Sequence, residues 1–122
     1  MSNKSLQALE LVVRSLDESV GQDILALKVG DLTPFADYYV ITHANNDRQI
    51  TALTNAVVKK AEEAGLDIKN IEGKNGGSWV LVDLNDVVVH IFHHEERSHY
   101  NLERIWEDAP LVEIHEWIQE TE

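Results

Sequence analysis

The chain has 122 residues and a mass of 13.8 kDa, enough for one compact domain and too little for two ordinary ones. Apolar residues make up 43%, which supplies a core and excludes wholesale disorder, and the absence of cysteine excludes disulfides and thiolate chemistry. Ten bases against 22 acids leave a net charge of −12, which repels phosphate and argues against nucleic acid as the direct partner, while a basic protein or peptide is attracted.

Acidity concentrates at the end of the chain. From Glu95 to Glu122 nine acids face only Arg97 and Arg104, so this segment carries −7 and the other 94 residues −5. A solvated helical surface is the plain reading; a surface that repels RNA or greets a basic partner is the sharper one. No apolar run approaches the length of a membrane span, and the opening MSNKSLQALE lacks the apolar stretch of a signal peptide. A cytoplasmic protein is expected.

Leu6, Leu9, Val12, Val13, Leu16 and Val20 recur at helical spacing, with Ser5 as a possible N-cap and Gly21 as a stop. Gln22 to Val29 reads as a strand, Asp31 to Pro34 as a loop, and Tyr38 to Thr42 as a second strand. Asn46 with Gln49 three residues on has the form of a capping box. Ile50, Leu53, Val57, Val58 and Ala61 then share one helical face, and Gly65 stands where such a helix ends. Ile68 to Ile71 is a weak strand signal, and Lys74 to Ser78 must turn.

Trp79 to Leu84 and Val87 to Phe92 are two strand patterns separated by Asn85-Asp86, a spacing that predicts a hairpin with a two-residue turn. Asn101 to Trp106 reads as helical, Pro110 punctuates, and Leu111, Ile114, Trp117 and Ile118 predict a last amphipathic helix. The order α-β-β-α-β-β-β-α-α predicts an α+β fold: one mixed sheet of about five strands with helices on one face.

The hairpin register pairs Trp79 with Phe92, Val80 with Ile91, Leu81 with His90, Val82 with Val89, Asp83 with Val88 and Leu84 with Val87. Alternation then sorts these side chains onto two faces. Val80, Val82, Leu84, Val87, Val89 and Ile91 form an aliphatic face that must meet the helices. Trp79, Leu81, Asp83, Val88, His90 and Phe92 form a mixed face, expected to be at least partly exposed. Aromatic and apolar anchors with a charged rim resemble the core of a binding surface. The alternative is that the C-terminal segment folds over this face and buries it.

Catalytic chemistry is poorly represented. His90, His93, His94 and His99 cluster beside Glu95 and Glu96, but zinc needs three or four converging ligands, and surface or hydrogen-bonded roles are favoured. Gly76-Gly77-Ser78 with Asp83 and Asp86 has a faint likeness to a nucleotidyltransferase turn and its metal-binding acids, yet the two aspartates flank the hairpin turn and do not favour a shared metal. There is no P-loop and no GxSxG. No cofactor, no metal and no enzymatic activity are expected; the alternative is a degenerate nucleotidyltransferase or a metal-dependent hydrolase using the His90–His99 cluster.

One ordered set of motifs joins these segments: Asp37-Tyr38-Tyr39-Val40-Ile41, Glu72-Gly73, Ser78-Trp79 through Asp83, Asp86 through Phe92, and Glu96-Arg97 through Trp106. Together they resemble the ribosomal silencing factor S family, also called Iojap-like, over about residues 5 to 110. The resemblance implies a fold related to nucleotidyltransferases without their catalytic constellation. It implies binding to the large ribosomal subunit through large-subunit ribosomal protein fourteen, steric exclusion of the small subunit, and repression of translation when nutrients are scarce. It also implies a homodimer in the free protein. Residues 1–110 would form the silencing-factor domain, and 111–122 an acidic amphipathic helix or tail. On this reading the contact residues are Trp79, Leu81, Asp83 and His90 from the mixed face, with Tyr100, Leu102 and Glu103 after it. Asp37 is expected to order its loop, Arg97 to pair with a nearby acid, and Trp106 to pack in the core.

Overall fold

The computed structural model describes residues 3–19, 21–73, 79–95 and 109–118. Helix α1 (Asn3–Glu18) is followed by strands β1 (Gln22–Lys28) and β2 (Tyr38–Ala44), helix α2 (Asp47–Glu63), and strands β3 (Asn70–Glu72), β4 (Trp79–Asp83) and β5 (Val87–His93). The five strands form one sheet in the order β1-β2-β5-β4-β3. The sheet is mixed: β2 and β5 run parallel, and the other neighbours are antiparallel. The expected α+β class and single mixed sheet are what the chain builds.

Both helices cover one face of this sheet. Leu9, Val12, Val13 and Leu16 of α1 and Ile50, Leu53, Val57 and Ala61 of α2 pack with Val40, Val80, Val82, Val89 and Ile91 in one buried cluster. This is the aliphatic hairpin face, and it is core as alternation requires. Leu6 was expected in the α1 stripe but lies at its margin, 44% exposed. Ser5 takes the buried position instead. It is not an N-cap, because the helix starts at Asn3; its Oγ donates to Asp37 Oδ2 at 2.5 Å and ties α1 to the loop before β2.

Helix α2 is bounded as its sequence signals. Asn46 is the N-cap, its Oδ1 accepting from the Gln49 N–H at 2.9 Å. The Gln49 side chain reaches back to the Asn45 N–H at 3.2 Å, one residue earlier than in a standard capping box. At the other end the Leu66 N–H donates to Ala61 O and the Gly65 N–H to Glu62 O, with Gly65 at φ +76°. That is a Schellman motif, which needs the left-handed conformation glycine adopts freely.

The β4–β5 pairing is the expected one at every position from Trp79↔Phe92 to Asp83↔Val88. The Leu84 N–H donates to Val87 O at 2.9 Å, and Asn85 turns the chain at φ +75°. Asp83 Oδ1 accepts from the Asn85 N–H at 2.8 Å and stabilises that turn.

The expected last helix is corrected. Leu111 bridges Leu27, the Lys28 N–H donates to Pro110 O, and the Val112 N–H donates to Ala26 O. Residues 110–112 are thus an extended cover for the open edge of β1, and His115–Trp117 forms only a single 3-10 turn. Satisfying the edge N–H and C=O groups outweighs the local helical periodicity. Ile114 is buried with the α1 and α2 residues. The expected Asn101–Trp106 helix lies outside the described residues.

Candidate functional site

The second face of the sheet carries no helix among the described residues. Side chains opposite one another across paired strands share a face, which places three rows there. The first is Tyr39, Val88, Asp83 and Asn70; the second Ile41, His90, Leu81 and Glu72; the third His43, Phe92 and Trp79. Ile41, Val88 and Phe92 are buried with Leu27, Val29, Ala36 and Ala109, while Tyr39, Trp79 and Leu81 pack against them half-buried. Asp83 is likewise half-buried. The mixed face is therefore a partly covered apolar floor with three half-exposed anchors and a carboxylate, between the two alternatives its sequence allowed.

The rings hold one another. Trp79 stacks on Phe92 with centroids 5.1 Å apart, and the Trp79 and His90 rings lie at 5.7 Å. The Trp79 Nε1–H donates to His90 Nδ1 at 3.2 Å. Nδ1 must then be the bare nitrogen, so the neutral ring carries its proton on Nε2. Burial pushes the His90 pKa down to about 4, so the ring is neutral at pH 7. Among the described residues Nε2 has no hydrogen-bond partner. Tyr39 meets His90 edge-on at 5.0 Å. Burial, and secondarily the charge of Asp83, push the Tyr39 hydroxyl up from its usual range.

His90 is only 4% exposed. It is corrected from an exposed contact to a buried support: it sets the Trp79 and Tyr39 rings from below and cannot itself present much surface. Trp79, Leu81 and Asp83 do reach the surface from β4. Tyr100, Leu102 and Glu103 lie outside the described residues. The other histidines separate from His90: His93 and His94 stack at 5.1 Å at the end of β5, His43 meets His94 at 6.4 Å, and His99 lies outside the described residues. No group of three or more His, Cys, Asp or Glu side chains converges on a metal position among the described residues.

Two residues that shape the site carried no assigned role in the sequence reading. Tyr39 reaches it through the parallel β2–β5 pairing, which joins segments about fifty residues apart and leaves no local signal. Gly73, at φ +79°, passes so close to β4 that a Cβ there would lie 2.1 Å from the Trp79 carbonyl oxygen. A glycine fixes the approach of the chain to Trp79, and the Glu72-Gly73 pair was its only sequence trace.

The rim is acidic. Glu72 stands beside Leu81 and is held by Asn70 Nδ2 at 2.6 Å, and no lysine or arginine pairs with Glu72 or Asp83 among the described residues. A cleft of about 360 Å³ lies elsewhere, between α1, the end of α2 and the hairpin turn, where Lys4, Gln7, Asp67 and Asp86 are among its lining residues. It shares no aromatic anchor with the sheet face. What the second face can do is bind: it offers rigid rings, a leucine and carboxylates to an apolar, basic surface. No helix among the described residues is long and apolar enough to cross a membrane.

The family model described as ribosomal silencing factor during starvation matches residues 2–122. The ribosomal silencing factor RsfS of Bacillus subtilis is 44% identical over 114 residues, covering 93% of this chain and 95% of that protein. A crystal structure of a Bacillus halodurans protein superimposes with a TM-score of 0.80 at 39% identity, covering 88% of this chain and 98% of that one. A mouse protein named mitochondrial assembly of ribosomal large subunit protein 1 is 28% identical over 101 residues, 80% of this chain and 44% of its own length. With the family model spanning nearly every residue, and the sheet and its mixed face built as the motifs required, this chain belongs to the ribosomal silencing factor family.

Proposed function

We propose that the protein binds the large ribosomal subunit through large-subunit ribosomal protein fourteen, keeps the small subunit from joining, and so represses translation under nutrient limitation. The observation that carries this reading is the half-exposed Trp79–Leu81–Asp83 strip, fixed from below by His90 and Phe92, on a chain of net charge −12. Such a face suits a basic ribosomal protein better than the rRNA around it. The name of the mouse relative points to the same subunit.

Tyr100, Leu102 and Glu103, which follow β5 in sequence, extend the contact on this reading. Residues 1–110 carry it, and the acidic residues of 111–122 add to the field that repels RNA. The protein acts in the cytoplasm as a non-catalytic regulator, and it self-associates as a homodimer when free of the ribosome, covering part of the apolar face.

Co-sedimentation with isolated large subunits across a salt series tests the reading. Leu81→Ala and Tyr100→Ala should each weaken binding by about 2 kcal/mol or more, as truncation of an interface anchor does. Glu103→Lys should weaken it at low salt and less at high salt. Circular dichroism confirms that each variant is folded. Folded variants that all bind like wild type would remove this surface from the ribosome contact.

A further inference from the structure

The cleft of about 360 Å³ opens where the start of α1, the end of α2 and the β4–β5 turn meet. Its volume lies in the range of small-molecule sites. Leu84, 6% exposed, and the half-buried Leu11 and Leu66 bring the margin of the core to its floor. Five polar side chains line it as well: Lys4 and Gln7 from α1, Asp67 after α2, and Asn85 and Asp86 from the turn. All five residues are exposed, and none of these side chains makes a hydrogen bond among the described residues. Lys4 forms no ion pair with Asp67 or Asp86, so opposite charges line one cleft without meeting.

The helix dipoles reinforce these charges. Lys4 lies in the first turn of α1, at the positive end of that helix. Asp67 follows the Gly65 turn that closes α2, beside the negative end of that one. The cleft therefore combines a cationic element, an anionic element and an apolar floor. One ammonium against two carboxylates leaves its lining at −1.

We propose that this cleft binds a free basic α-amino acid of the lysine and arginine class. The ligand carboxylate meets Lys4, with the Gln7 amide as a second donor. Its two cationic groups meet Asp67 and Asp86, and its methylene stem lies on Leu11, Leu66 and Leu84. Such a ligand carries +1 and cancels the charge of the lining. A neutral amino acid leaves one carboxylate unmatched, a diamine is repelled by Lys4, and an acidic amino acid is repelled by the two aspartates. No residue of the Trp79–Leu81–Asp83 strip lines the cleft, so the inference goes beyond the ribosome reading and does not rest on it.

The test titrates the full chain at low salt with L-lysine, L-arginine, norleucine, which lacks the second cation, and cadaverine, which lacks the carboxylate. Backbone amide NMR shifts report both affinity and place, and circular dichroism confirms that each variant is folded. Lysine and arginine should bind saturably with a Kd of about 10 mM or tighter, with shifts centred on residues 65–67 and 84–86. Norleucine and cadaverine should each bind about fivefold more weakly or worse. In Lys4→Gln lysine should lose its advantage over cadaverine, a change that a merely structural role for Lys4 would not produce. The Asp67→Asn/Asp86→Asn double variant should lose lysine binding. Asp31→Asn, which removes a carboxylate outside the cleft, should bind lysine within about twofold of wild type. Absence of saturable lysine and arginine shifts at the cleft would refute the proposal. So would cadaverine binding as tightly as lysine, or a loss in Asp31→Asn equal to that of the double variant, because diffuse attraction to an acidic protein would then be the whole effect.

Discussion

The Trp79–His90 pair makes the stability of the fold depend on pH in a calculable way. In the folded chain the His90 ring is buried and accepts the Trp79 indole N–H, and its pKa falls from the ordinary 6.5 to about 4. In the unfolded chain the ring is solvated and protonates near its ordinary value. Acid is therefore taken up first by the unfolded state. The neutral ring's contribution is complete above pH 6.5, declines as pH falls below it, and is gone by about pH 4. The full gap corresponds to about 3 kcal/mol, of which about 2 kcal/mol is lost by pH 5. His90→Gln removes the titration and keeps an acceptor for the indole. Urea unfolding of both proteins from about pH 7.5 down to about pH 5 gives the comparison, because the other titrating groups cancel in the difference. Wild type should lose about 2 kcal/mol more than the variant over that range. Parallel curves would refute the argument, since His90 would then titrate alike in the folded and unfolded chain.

Gly73→Ala should cost about 2 kcal/mol or more in urea unfolding, through a left-handed backbone and a Cβ driven against the Trp79 carbonyl; a loss under about 0.5 kcal/mol would show that the loop relaxes freely. Val82→Ala empties a fully buried position between Val89 and Ile71 and should cost about 2 kcal/mol, while leaving ribosome binding of the folded fraction unchanged; lost binding at unchanged stability would place Val82 on the wrong face. Asn46→Ala removes the acceptor for the Gln49 N–H and should lower stability by about 1 kcal/mol, read by thermal unfolding, with no change if the cap is replaced by solvent.

Local pattern was most legible where neighbours in sequence are neighbours in space. The hairpin register followed from a two-residue gap and alternation, and it is right at every pair the two strands make. Helix α2 was bounded by a cap residue and a glycine that act within one turn of its ends. What escaped was long-range. Ser5 has the chemistry of a cap, but it is spent on Asp37, 32 residues away. Leu111 to Ile118 has helical periodicity, but its backbone is taken by the edge of β1, which no local pattern reports. His90 looked like a surface histidine because its strand partner Leu81 sits on the mixed face. Its burial depends on Tyr39, from a strand that joins β5 in parallel. Tyr39 itself was visible as a strand residue and invisible as part of the site for the same reason.

The architecture also gives a physical reason for placing the proposed binding face on this side of the sheet. Two helices of 16 and 17 residues suffice to cover one face of five short strands, and both are committed there. The other face cannot be left aliphatic without inviting indiscriminate association. The chain instead lays rings across it: Phe92 beneath Trp79, His90 bonded to the indole, Tyr39 against His90. Rings have few rotamers, and these are locked by one another, so little entropy remains to be lost when a partner arrives. On the proposed reading, carboxylates at Asp83 and Glu72 then discriminate among partners by charge. The two halves of the device act on different rates. On the proposed reading, the charge of −12 speeds encounter with a basic surface and fades with salt, whereas the ring platform and Leu81 slow departure and do not. Raising salt should therefore lower the association rate with large subunits while barely altering dissociation, and a dissociation rate that rises in step with salt would show that charge, not the ring platform, holds the complex together.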